Sequence, residues 1–91
     1  MTETKMLIGS LSNDLFRVAS LSQRGSYQAA EKFLTEALRW AKQLSQAQLK
    51  PYIKKIIADL SSQNHDLHSL AKSEQFLTYS ILLQNYALHL E

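Results

Sequence analysis

The chain lacks cysteine and holds one proline and two glycines among its 91 residues. The absence of cysteine excludes a disulfide scaffold, thiol catalysis and cysteine-ligated zinc. Isoleucine and valine are too few and too scattered to predict a β-sheet, and the shortage of glycine and proline leaves few strand-turn signals. Alanine, leucine, glutamine, lysine and glutamate are abundant instead, and they favour helices. The composition therefore predicts an all-α fold.

A long apolar run is also missing. Residues 6–8, Met-Leu-Ile, are too short for a signal-peptide core or a membrane span, so we expect a cytoplasmic protein with no membrane partner. Hydrophobic residues make up 45% and charged residues 20% of the chain, which is typical of a folded globule. We expect one domain over residues 1–91. Because so short a chain has a thin margin of stability, a partner subunit is a reasonable expectation.

The spacing of apolar residues predicts a small antiparallel bundle of about four helices joined by short connections. The first helix should run from about residue 3 to residue 23 and end at Gly25. Phe16 points away from the apolar stripe of this helix. The second helix should extend from Ser26, as N-cap, to about residue 44. Its apolar arc covers half the circumference, which predicts contact with two neighbouring helices.

The third helix should start near residues 50–51, with Pro51 in its first turn, and stop or bend at residues 61–64. The last helix should begin near Asn64 or Asp66, or only near Ser73. Its apolar residues fall on two sides. One column consists of Phe76, Tyr79, Leu83, Tyr86 and Leu90, and a second of Leu77, Ile81 and Leu88, with Leu82 between them.

A helix that is apolar on two sides is either central to its domain or shared with a partner. In so small a domain we favour the partner. The sequence thus predicts a non-enzymatic protein-protein interaction or regulatory module, either a homodimer or a subunit of a larger assembly. The predicted partner interface is the first column, formed by Phe76, Tyr79, Leu83, Tyr86 and Leu90.

Residues 25–38, Gly-Ser-Tyr-Gln-Ala-Ala-Glu-Lys-Phe-Leu-Thr-Glu-Ala-Leu, resemble the second helix of a tetratricopeptide repeat. The family's small turn residue, aromatic residue and small crossing residue match Gly25, Tyr27 and Ala30. The preceding helix departs from the pattern at residues 17–18, and no second copy occurs one 34-residue period away. The resemblance implies a close-packed antiparallel helical hairpin and a role in protein interaction.

A basic stretch supports the alternative, a nucleic-acid-binding regulator. No Asp or Glu lies between residues 37 and 58, whereas half of all lysines and arginines do. They would form a patch around the turn between the second and third helices, suited to phosphates or an acidic protein. The patch consists of Arg39, Lys42, Lys50, Lys54 and Lys55.

Two histidines and one acid are further candidates. His65 and His68 are three residues apart, as helical metal ligands are, but two ligands make an incomplete site, and a polar helix start capped by Asp66 is the favoured interpretation. Asp14 lies at the margin of an apolar stripe and can pair with Arg17; a structural role is favoured over a functional carboxylate. No catalytic arrangement, metal site or cofactor site is predicted.

Overall fold

The structure, a computed structural model, describes residues 3–62 and 65–90. It contains the helices α1 (Glu3–Gln23), α2 (Tyr27–Leu44), α3 (Pro51–Ser62) and α4 (Leu70–Leu88), and the described residues form no strand. The predicted all-α class is confirmed. No helix among these residues is long and apolar enough to cross a membrane.

The end of α1 is set by Gly25, as predicted. Gly25 has a φ of 81°, a conformation that side chains other than glycine rarely adopt. The backbone N–H of Gly25 donates to Ser22 O at 3.1 Å, and that of Ser26 donates to Leu21 O at 2.9 Å. This pair of bonds is a Schellman motif, which closes the last turn of a helix and redirects the chain. Ser26 takes the N-cap position of α2, but its side chain makes no capping hydrogen bond.

The start of α4 differs from the prediction. The helix begins at Leu70, and the Ser69 hydroxyl caps it by accepting the N–H of Lys72 at 3.2 Å. Asp66 caps a separate turn, because its Oδ1 accepts the N–H of His68 at 2.9 Å. Starts near Asp66 or Ser73 are therefore wrong, and Asn64 lies outside the described residues. Serine and aspartate both cap well, so local pattern alone does not choose between them.

The four helices share one core, with α1 in contact with both α2 and α4, and α2 in contact with α3. The contact of α2 with two helices confirms what its wide apolar arc predicts. The two helices of each contacting pair run antiparallel. The largest fully buried side chains are Ile8, Leu11, Leu15, Val18, Leu44, Ile53, Leu60, Phe76 and Leu83.

Small residues line the contact between α1 and α4. The Ser12 hydroxyl donates to the backbone oxygen of Ser80 at 2.7 Å, and both side chains are buried. Along α4, Ser73, Ser80 and Ala87 recur every seven residues and are all buried. A row of small side chains two helical turns apart lets two helix backbones approach closely. The close contact of α1 and α4 thus depends on small polar residues, which a search for apolar residues at helical spacing does not find.

Polar side chains join α3 to α4. The Tyr79 hydroxyl donates to Asp59 Oδ2 at 2.6 Å, and burial together with the neighbouring carboxylate raises the pKa of Tyr79 to about 12. At the other end of the pair, the backbone N–H of Lys50 donates to the Tyr86 hydroxyl at 3.4 Å. These two bonds hold the outer helix α3 against α4 at both ends.

We predict that replacing Ser80 with leucine destabilises the domain by about 1–3 kcal/mol, because the larger side chain forces α1 and α4 apart. Ser80→Ala is the matched control: it keeps the backbone oxygen that accepts the Ser12 hydroxyl and should stay within about 1 kcal/mol of the parent. Urea unfolding followed by circular dichroism measures both. Equal stability of the leucine variant and the parent would contradict the close approach of the two helices.

Candidate interaction surfaces

The column predicted as a partner interface faces the domain's own core. Phe76 and Leu83 are fully buried, and Tyr79, Tyr86 and Leu90 are half-buried and packed against the core. The assignment of this column to a partner is therefore corrected, because α1 and α3 already cover it. A polar residue at position 83 is expected to unfold the domain rather than to dissociate an assembly.

The second apolar column of α4 is the one left exposed. Ile81 is 52% and Leu88 66% exposed, and Leu77 beside them is half-buried. Leu70 continues this column toward the start of the helix and is also exposed. We call Leu70, Leu77, Ile81 and Leu88 the outer row of α4.

Phe16 extends the outer row onto α1. It lies one turn after Ser12, which contacts Ser80, so in an antiparallel pair Phe16 is level with the turn of α4 that precedes Ser80. That turn contains Leu77. The Phe16 side chain is 54% exposed, which agrees with the expectation that it points away from the stripe of α1. The outer surface of the α1–α4 pair is therefore apolar along α4 and at Phe16 of α1.

Charged residues are missing along most of α4. Residues 75–90 contain no Asp, Glu, Lys or Arg, although half-buried helices usually carry charges on the side that faces water. From Leu77 to Leu88 the outer row is therefore flanked by neutral side chains such as Gln84, Asn85 and Thr78, whereas Glu74 lies between Leu70 and Leu77. The apolar pattern of the sequence reveals both columns, but only packing distinguishes the buried one from the exposed one.

All members of the predicted basic patch are exposed. Arg39 and Lys42 are exposed residues of α2, and Lys50 immediately precedes α3. Lys54 and Lys55 are exposed residues of α3. Lys50 also lines a cleft of about 480 Å³ between the start of α3 and the end of α4. The other lining residues are Tyr52, Asn85, Tyr86, His89 and Leu90.

His65 and His68 do not share a helix face, because residues 65–69 form a turn before α4. The Nε2–H of His65 donates to the backbone oxygen of Leu60 at 3.0 Å, and its ring meets Phe76 edge to face. The His68 ring instead lies against Tyr27, with the ring centroids 3.8 Å apart. Within the described residues, no group of three or more histidine or acidic side chains is placed to hold a metal ion.

Asp14 is buried between α1 and α2, where the Trp40 Nε1–H donates to its Oδ2 at 2.9 Å. Burial, with a smaller contribution from the neighbouring Glu36 carboxylate, raises the pKa of Asp14 to about 6 against the opposing effects of Trp40 and Arg17. The arrangement links the two helices through a carboxyl group that holds its proton unusually tightly.

Comparison with known proteins identifies no relative of this chain. No protein-family model, no curated protein and no solved structure matches it. The exposed outer row and the basic patch are thus the two surfaces from which a function can be inferred.

We predict that Asp14→Asn stabilises the domain at pH 7 by about 1–2 kcal/mol and has little effect at pH 4. In the unfolded chain an aspartate has a pKa of about 3.9, so the folded state retains the proton to higher pH. The protonated carboxyl therefore contributes stability below pH 4 that is lost as the pH rises to about 6. Asparagine keeps an acceptor for Trp40 and carries no charge to bury.

Urea unfolding of parent and variant at pH 4, 5, 6 and 7 measures this difference. Glu31→Gln, which removes an exposed carboxylate from α2, is the control and should change stability little throughout the range. A difference between Asp14→Asn and the parent that stays constant with pH, or that shrinks toward pH 7, would contradict the prediction.

Proposed function

We propose that the chain is a non-enzymatic protein-protein interaction module that self-associates through its C-terminal helix. The outer row of α4 is the observation that carries this proposal. Single exposed apolar side chains are common on soluble proteins, but a contiguous row on a helix that is uncharged from residue 75 onward is not. Charged residues are depleted at the centres of protein interfaces, as they are along residues 75–90.

A second copy of the chain suits this surface because the part of it from Leu77 to Leu88 is neutral. In a two-fold symmetric dimer the same patch meets itself, so any charge in the patch would face an identical charge nearby. Antiparallel pairing of two α4 helices around Ile81 brings leucine, isoleucine and amide side chains together and opposes no like charges. A partner of strongly basic or acidic character would find no complementary group in the outer row.

The size of the surface indicates that α1 takes part as well. A stable interface buries about 800 Å² per subunit, roughly one seventh of the 5771 Å² surface of this domain. A helix of 19 residues is about 28 Å long, and one of its faces alone supplies too little area. Phe16 broadens the patch across the α1–α4 contact.

We predict that the parent chain is a dimer and that the double variant Ile81→Gln/Leu88→Gln is a monomer of unchanged helicity. Both side chains are exposed in the single domain, so their replacement leaves the core intact. Light scattering on a gel-filtration column gives the mass over a dilution series, and circular dichroism gives the helicity. A hundredfold weaker dimer corresponds to about 3 kcal/mol, a reasonable effect for two central apolar residues on each subunit.

Met6→Gln is the matched control. Met6 is 62% exposed, like the two residues that are changed, but it lies three helical turns before Arg17, which contacts Phe33 of α2. It is thus on the α2 side of α1, away from the outer row. A parent chain that remains monomeric at every concentration would overturn the proposal, as would a dimer that survives Ile81→Gln/Leu88→Gln or dissociates equally with Met6→Gln.

A further inference from the structure

A cleft that combines aromatic and basic side chains lies away from the outer row. Lys50, Tyr52 and Tyr86 line it where the start of α3 meets the end of α4. Tyr86 and Ile81 project from different sides of α4, since Tyr86 packs toward α3 and Ile81 faces away from it. The cleft and the outer row are therefore centred on different sides of α4, and Asn85 borders both.

Two tyrosine rings form a corner in this cleft. The centroids of Tyr52 and Tyr86 are 6.1 Å apart, and the ring planes make an angle of 81°. The Tyr86 hydroxyl accepts the backbone N–H of Lys50, which holds its ring in place, while Tyr52 is 48% exposed. A flat ring that stacks on one tyrosine meets the edge of the other, an arrangement that aromatic groups favour.

Two lysines lie beside the corner. Lys50 lines the cleft, and Lys55, three residues after Tyr52, lies on the neighbouring part of the surface of α3, whereas Lys54 lies on the opposite side of that helix. The described residues that line the cleft include no acid. Residues 37–58 hold five of the ten basic residues and none of the eight acidic ones, so the rest of the chain is net acidic and the positive charge is concentrated here.

We propose that this cleft binds single-stranded nucleic acid, with a base stacked on Tyr52 and the backbone phosphates at Lys50 and Lys55. Aromatic side chains beside a basic groove are what a single strand requires, because its bases are free to stack while its phosphates need counter-charge. In a duplex the base faces are already stacked on one another. Reading a duplex would also require polar side chains on an exposed helix, whereas the side chain that α3 exposes beside Tyr52 is Lys55.

The test is fluorescence anisotropy with a labelled oligothymidylate of about twelve nucleotides, the matching duplex, and a polyglutamate competitor, at two salt concentrations. We expect the single strand to bind at least tenfold more tightly than the duplex and to resist polyglutamate. Tyr52→Leu should weaken binding roughly tenfold, the order of effect that the loss of one stacked base produces. Lys50→Gln/Lys55→Gln should weaken binding and lower the slope of affinity against salt by about 0.7 for each phosphate that is no longer neutralised.

Two control variants separate this site from general effects. Tyr27→Leu removes a tyrosine that packs on His68 outside the cleft, and Lys32→Gln removes one exposed positive charge outside the basic stretch. Both should bind like the parent, and so should Ile81→Gln/Leu88→Gln. No binding by the parent at low salt would overturn the proposal. So would equal affinity for single strand and duplex, displacement by polyglutamate, or binding that Tyr52→Leu leaves unchanged in a folded variant.

Discussion

The close approach of α1 and α4 governs how the other elements of the domain are arranged. The hydroxyl of Ser12 bonds to the backbone of Ser80, and the small residues Ser73 and Ala87 continue the contact one heptad to either side. Because no long side chain separates the two helices there, Phe76 and Leu83 reach the shared core. α1 then contacts α2 on its other side, so one helix organises the whole bundle.

The same contact also determines which side chains remain on the surface. Once the small residues of α4 face α1, and Tyr79 and Tyr86 face α3, Ile81 and Leu88 have no element of the domain left to cover them. This orientation also places Tyr86 beside Tyr52 and next to the basic start of α3. The two candidate surfaces are therefore consequences of one helix orientation, and they lie on different sides of α4.

Local sequence signals predict the end of a helix where only one residue type fits the backbone conformation. Gly25 ends α1 because its positive φ is unfavourable for other residues, and Pro51 starts α3 because proline is tolerated in a first turn. The start of α4 cannot be predicted in this way, because Asp66 and Ser69 are both good N-cap residues. Only the packing of the chain selects one of them. The apolar pattern places Asp14 at the margin of a stripe, but its bond to Trp40 joins residues 26 apart in sequence.

Periodicity and backbone preferences, which act over a few residues, are enough to predict the all-α class, the extent of α1 and α2, and two apolar columns on the last helix. They do not say which column is buried, because both columns satisfy the same helical spacing and differ in what packs against them. Tertiary packing makes that choice when the small residues of α4 meet α1. It also brings Tyr52, Tyr86 and the lysines around Lys50 together, since contacts between distant segments depend on how the helices pack, which local spacing does not encode.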